Sequence, residues 1–265
     1  MLKYVAHHSR KQTNYMTSID ISEESGVRYL HFGSEWIQGA MRIARPFALE
    51  LEYTREMMVP LLMYPEEWPK RVLMIGLGAG SLLKFLWRYR PQALITVVEI
   101  DSRMEAAARQ FFKLPDDPKR ITIHIKDGAD FMIATKQKFD LILVDGFDAD
   151  ARANRLDSVS FYLNCRARLA ADGMLCVNLL SRRKDFSKSI ARMQEAFDGH
   201  AIAFPSNEAG NAICLATTDG VPPAPTVKEL VDTAEELRRV TGLNLSAQLS
   251  RISRSNHFPR GVLKI

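Results

Sequence analysis

Between Arg71 and about Asp219 the chain alternates short apolar runs with helical patterns, and this alternation constrains the fold more than any other feature. The apolar runs are Val72–Ile75, Ala93–Val98, Ile121–Ile125, Leu141–Val144, Met174–Leu180, His200–Phe204 and Ala212–Ala216. Helical patterns lie between them at Ser81–Arg90, Arg103–Phe112, Gly128–Thr135, Ser158–Ala171 and Phe186–Phe197. Strands that are apolar throughout are buried on both faces, as in a parallel sheet covered by crossover helices. Only the loop Pro205–Asn211 separates the last two runs, too short for a parallel crossover. A hairpin is expected there, leaving one antiparallel strand in a seven-stranded sheet.

The flanks read differently. Tyr15–Ile21, Val27–Phe32 and Glu35–Ile43 are short, partly alternating and separated by turn residues, which predicts a small antiparallel β unit. Pro46 is expected to open a helix through Leu62 whose Met-rich stripe packs into the core. Val221–Pro225 reads as a linker, followed by an amphipathic helix over Thr226–Val240. The expected organisation is thus a β annex over 1–55, a nucleotide-binding catalytic domain over 56–220 and a helical tail over 221–265.

Composition narrows the class. A hydrophobic fraction of 46% and a charged fraction of 25% are those of a globular protein. No apolar run approaches the ~20 residues of a membrane span, and Met1–Arg10 does not lead into a signal sequence. Cys165, Cys176 and Cys214 are scattered and lack metal-ligand spacing, so buried thiols in a cytoplasmic protein are expected. The histidines are adjacent near the N-terminus (His7, His8) or isolated, and no metal site is expected; His31, His124 and His200 read as structural. Much of the +5 net charge sits in Arg238, Arg239, Arg251, Arg254, Arg260 and Lys264, read as a solvated basic tail or subunit contact rather than a nucleic-acid surface.

The chemistry is carried at the ends of the strands. Val72–Ile75 runs into Gly76-Leu77-Gly78-Ala79-Gly80 and then into a helix, a turn in which the backbone can approach a ligand closely. Glu99 follows Gly76 by 23 positions at the tip of the next strand, where a carboxylate can accept both ribose hydroxyls. Nicotinamide sites space their glycines as Gly-x-Gly-x-x-Gly, whereas Gly76, Gly78 and Gly80 have the spacing of adenosyl-methionine enzymes. Asp127-Gly128 after the third strand suits an adenine amino group, although an Asp there also suits a helix N-cap. The fourth strand ends in Asp145-Gly146-Phe147-Asp148, in the crevice beyond the carboxyl ends of the sheet. Asp150 and Asp157 read as ordinary loop acids.

The chain is therefore expected to be an α/β protein with a Rossmann-like, seven-stranded class I methyltransferase-type sheet and a small N-terminal antiparallel β domain. Gly76–Gly80, Glu99-Ile100-Asp101, Asp127-Gly128, Asp145-x-x-Asp148, Leu156 and Phe161-Tyr162 resemble the spermidine synthase (polyamine aminopropyltransferase) family, over roughly Gly26 to Ala216. The resemblance implies a cytoplasmic, homodimeric transferase with no tightly bound cofactor. Decarboxylated S-adenosylmethionine would be the co-substrate and a polyamine such as putrescine the acceptor. It further implies that Gln38 contacts the nucleoside, Asp145 deprotonates and orients the attacking amine, and Asp148 holds a cationic amine.

Several positions depart from the family pattern. Ala79 stands where the family carries an Asp on the aminopropyl amine, and Gly146 and Ala149 replace the Ser and Pro of Asp-Ser-x-Asp-Pro. Arg45–Glu50 lacks the Tyr and His expected after Gln38, and no polyamine-gripping aromatic occurs near Ser206–Ala212. Two alternatives stay open: a methyltransferase using ordinary S-adenosylmethionine on a small molecule, and a nucleotide-binding homologue without turnover.

Overall fold

The computed structural model describes residues 18–32, 37–146, 154–205, 209–218 and 224–265. Asp148, Asp150, His7, His8 and Tyr15–Thr17 lie outside those residues.

Three strands, β1 (Ile19–Glu24), β2 (Val27–Phe32) and β3 (Ile37–Arg42), form an antiparallel sheet in that order. The first runs later than the expected Tyr15–Ile21. Ser25 and Gly26, with φ of 51° and 75°, make a two-residue hairpin turn that pairs Glu24 directly with Val27. The register is thus set by the turn, and the exposed Ser22-Glu23-Glu24 carries no apolar alternation by which a sequence pattern could find it.

The expected helix from Pro46 to Leu62 is instead a short α1 (Glu52–Glu56) and a separate 3-10 turn over Val59–Leu62. Pro60 lies inside that turn; it has no N–H, and its ring opposes helix continuation past Glu56. The Met-rich stripe is core, with Met57, Met58, Val59 and Leu61 essentially inaccessible.

The main sheet is built from β4 (Arg71–Ile75), α2 (Ser81–Tyr89), β5 (Leu94–Glu99), α3 (Ser102–Phe111), β6 (Ile121–Ile125), α4 (Gly128–Ala134), β7 (Phe139–Val144), α5 (Val159–Arg168), β8 (Leu169–Leu180), α6 (Phe186–Ala196), β9 (Ala201–Ala203) and β10 (Asn211–Thr217). Its order is β6-β5-β4-β7-β8-β10-β9. The pairs β4–β5, β5–β6, β4–β7 and β7–β8 are parallel, and β10 is antiparallel to both β8 and β9. β10 is therefore inserted between β8 and β9, and its short loop accounts for the antiparallel pairing with β9. One apolar cluster on each face covers the sheet, containing Val72, Met74 and Leu141 on one side and Leu73, Ile75 and Ile142 on the other.

Strand order reverses at β4, so the crevice between the ends of β4, β5 and β7 is the place for a ligand. Lys84 of α2 is buried; its ammonium donates to the Phe112 carbonyl beyond the end of α3 at 2.8 Å. Burial lowers its pKa to about 7.

In the C-terminal segment Arg238, Arg239, Arg254, Arg260 and Lys264 are exposed, as a solvated basic face expects, while Arg251 and the apolar side chains turn inward. α7 (Val227–Thr241) begins with a capping box between Thr226 and Glu229 and ends at Gly242, whose φ of 75° closes the helix. A further helix, α8 (Ser246–Ile252), was not foreseen. Leu230, Leu237, Leu245, Leu249, Ile252 and Leu263 join the main core, and Arg251 pairs with the buried Glu56 of α1. Asp157 is likewise no ordinary loop acid: Tyr162, Ser189 and Arg192 all donate to its carboxylate, which ties the start of α5 to α6.

Candidate active site

The glycine loop is held by contacts that leave no room for side chains. Gly76, at φ of 96°, donates to Val98, and a Cβ on it would lie 2.2 Å from the Asp145 carbonyl oxygen. Gly80 is the left-handed N-cap of α2. β3 lies across the loop: the Gln38 carbonyl oxygen is 3.3 Å from where a Gly78 Cβ would stand, and Gly39 packs on Ala79, itself 2% exposed. Gln38 and Gly76–Gly80 are thus brought together by the small sheet and the large one.

Glu99 stands at the end of β5 with 7% exposure. Its two oxygens accept the Leu77 amide at 2.9 Å and the Asp101 amide at 3.0 Å, so the carboxylate fastens the glycine loop to the strand exit. Burial raises its pKa and the backbone donors oppose the shift. Ile100, directly after it, is 70% exposed and offers an apolar surface beside the carboxylate.

Asp127 is the N-cap of α4, with Oδ1 accepting from the amides of Ala129 (2.8 Å) and Asp130 (3.0 Å). Gly128 beside it packs against Ile75 and Leu156. A helix start and a strand-end acid thus coincide at one residue.

Asp145 follows β7, and its amide donates to the Ile75 carbonyl at 2.9 Å, next to Gly76. Its carboxylate accepts from the Tyr53 hydroxyl at 3.1 Å and from the Asn178 side-chain amide at 2.9 Å. Asn178 is in turn held by Asn211, whose side chain donates to it at 3.0 Å. Burial raises the pKa of Asp145, opposed first by Asn178 and then by Tyr53. The Tyr53 hydroxyl is pushed well up by burial and by the adjacent carboxylate, so it donates and does not ionise.

Tyr53 and Asn178 are functional candidates that sequence reasoning missed. Tyr53 lies just beyond Arg45–Glu50, the segment read as lacking a tyrosine, and reaches the site because α1 starts only at Glu52. Asn178 left a signal, a lone polar residue inside the apolar run Met174–Leu180. Such a residue, 4% exposed in the sheet, needs a polar partner. The histidines read as structural are His200, facing the Ile265 carbonyl, and His124, against Phe131; His31 faces Ser22. All three cysteines are buried and burial pushes their thiols up. Among the described residues no helix is long and apolar enough to cross a membrane.

A buried carboxylate with two fixed donors follows a strand whose end adjoins the glycine loop, on a Rossmann-like, methyltransferase-type sheet. The family model for the spermine/spermidine synthase domain matches residues 51–202, more than half of the chain. The chain belongs to the spermine/spermidine synthase family and is a transferase. It is 34% identical to the polyamine aminopropyltransferase of Chromobacterium violaceum and 31% identical to that of Neisseria meningitidis, each over 256 residues and 97% of both chains. A spermidine synthase crystallised with the transition-state analogue AdoDATO superposes with a TM-score of 0.64 at 21% identity, covering 90% of this chain and 86% of that one.

Proposed function

We propose that the protein moves an aminopropyl group from decarboxylated S-adenosylmethionine to a polyamine such as putrescine, releasing 5′-methylthioadenosine. The observation that carries this reading is Asp145, buried beside Gly76 with Tyr53 and Asn178 on its two oxygens. An aliphatic ammonium has a pKa near ~10 and is no nucleophile until it loses a proton. Asp145, its proton affinity raised by burial, accepts that proton and orients the amine. The amine nitrogen forms a bond to the methylene beside the sulfonium, the carbon–sulfur bond breaks, and its electron pair stays on sulfur as a neutral thioether. Asp148 holds the second cationic nitrogen of the acceptor.

Glu99 takes the ribose hydroxyls, Asp127 the adenine amino group through Oδ2, and Gln38 the nucleoside. Gly78, Gly80 and Gly128 let backbone close on the ligand. We further infer a cytoplasmic homodimer. One feature favours ordinary S-adenosylmethionine as an alternative donor: Ala79 is apolar and buried against Gly39, so the glycine loop places no acid there to repel the carboxylate that this donor carries beside its ammonium.

Incubation with putrescine and each donor separates the two. Methylthioadenosine is expected from the decarboxylated donor alone; adenosylhomocysteine from the ordinary donor would overturn aminopropyl transfer. Methylthioadenosine binding is expected to be lost in Glu99→Ala, measured by calorimetry, and wild-type affinity in that variant would remove Glu99 from the site.

A further inference from the structure

Arg155, in the 3-10 turn Asn154–Leu156, reaches both carboxylates at the start of α4. Its guanidinium lies 3.1 Å from Asp127 Oδ1 and 2.6 Å from Asp130 Oδ1. Asp127 Oδ1 therefore meets three donors: the amides of Ala129 and Asp130 and this guanidinium. An oxygen so surrounded fixes the plane of its carboxylate and leaves Oδ2 as the acceptor for a group arriving from the crevice. The next residue closes the same corner. Leu156 packs on Gly128 and Gly146, where added Cβ atoms would meet its methyl carbons at 3.2 and 2.6 Å. A single turn of chain thus fixes the carboxylate and covers the glycines that follow β6 and β7.

We propose that Arg155 is a specificity-determining positioning residue: by holding the Asp127 carboxylate in one orientation, it makes the crevice select a 6-amino purine over a 6-oxo purine. This rests on the reading that an adenosyl nucleoside occupies the crevice. A carboxylate attracts an exocyclic amino group and repels a carbonyl oxygen at the same place. The discrimination depends on the carboxylate keeping a fixed direction, which a bridging guanidinium supplies. Without Arg155, Asp127 would remain the helix cap but could rotate about it.

The test is to measure binding of 5′-methylthioadenosine and 5′-methylthioinosine by calorimetry to the wild type, Arg155→Met and Arg155→Lys. The wild type should prefer the adenosine form. Arg155→Met should shrink that preference about fivefold, the scale of a partly exposed ion pair, and Arg155→Lys should keep most of it. The melting temperature should barely move. A residue that merely packed the turn would weaken both nucleosides alike, so an unchanged preference ratio in Arg155→Met overturns the proposal. Failure of the wild type to bind either nucleoside would instead overturn the reading of the crevice, and the proposal with it.

Discussion

Replacing Asp145 with asparagine is expected to lower kcat by about 10²–10⁴-fold, the range for loss of a positioned general base, with the affinity for methylthioadenosine nearly unchanged. The substitution keeps the shape of the side chain and removes its capacity to take a proton. Its amide can still satisfy both neighbours: the carbonyl oxygen accepts from Asn178, and the Tyr53 hydroxyl turns to accept from the new NH2. The fold should therefore survive. Because the lost interaction belongs to the transition state, kcat and kcat/KM should fall together. The wild-type pH profile carries a second signature. Burial raises the pKa of Asp145, so the base is ionised above that raised value and protonated below it. Activity should fall as pH drops through it, and this acidic limb should vanish from the residual rate of Asp145→Asn. Full activity in that variant, followed by methylthioadenosine release, would show that another group takes the proton.

The parts of the site that the sequence made legible share a physical cause. β4, β5 and β7 are covered on both faces, so each appears as a mostly apolar run ending in Gly76, Glu99 or Asp145. The short loop before β10 forced its antiparallel course against β9. What was hidden depends on contacts distant in sequence. Tyr53 and Asp145 are 92 positions apart, and nothing in Glu52–Glu56 announces the meeting. Asp127 carried two readings because a strand-end acid and an N-cap are the same residue when a helix starts at the next position. In the terminal Arg-rich segment the exposed basic residues were legible, but not the core packing of Leu249 and Ile252, three apart in a short helix, with Leu245 at its start. Arg251 belongs to that helix, and its partner Glu56 lies 195 positions earlier.

That pair should dominate the stability of the C-terminal segment. The Glu56 side chain is fully inaccessible, its Oε1 is bound by Arg251, and its Oε2 has no hydrogen bond among the described residues. Arg251 also donates to the Pro205 carbonyl at 2.7 Å and lies 4.0 Å from Glu52, so one guanidinium joins α1, the loop after β9 and α8. Arg251→Met keeps the aliphatic stem but strands a buried carboxylate. Removing one member of such a pair costs about 3–5 kcal/mol, which for a chain of this size is on the order of 10 °C in melting temperature. The loss should also depend on pH. A stranded Glu56 is driven to protonate, so its folded-state pKa rises above its unfolded value near ~4.3. The unfolded state then releases its proton first. The variant should be closest to wild type near and below pH ~4 and fall behind as pH rises through the window above it. Adding Glu56→Met removes the charge and should restore most of the lost stability, because two well-packed methionines leave no buried ion to solvate. A double variant no better than Arg251→Met in thermal melts would show that the guanidinium acts through Pro205 and packing, and not through Glu56.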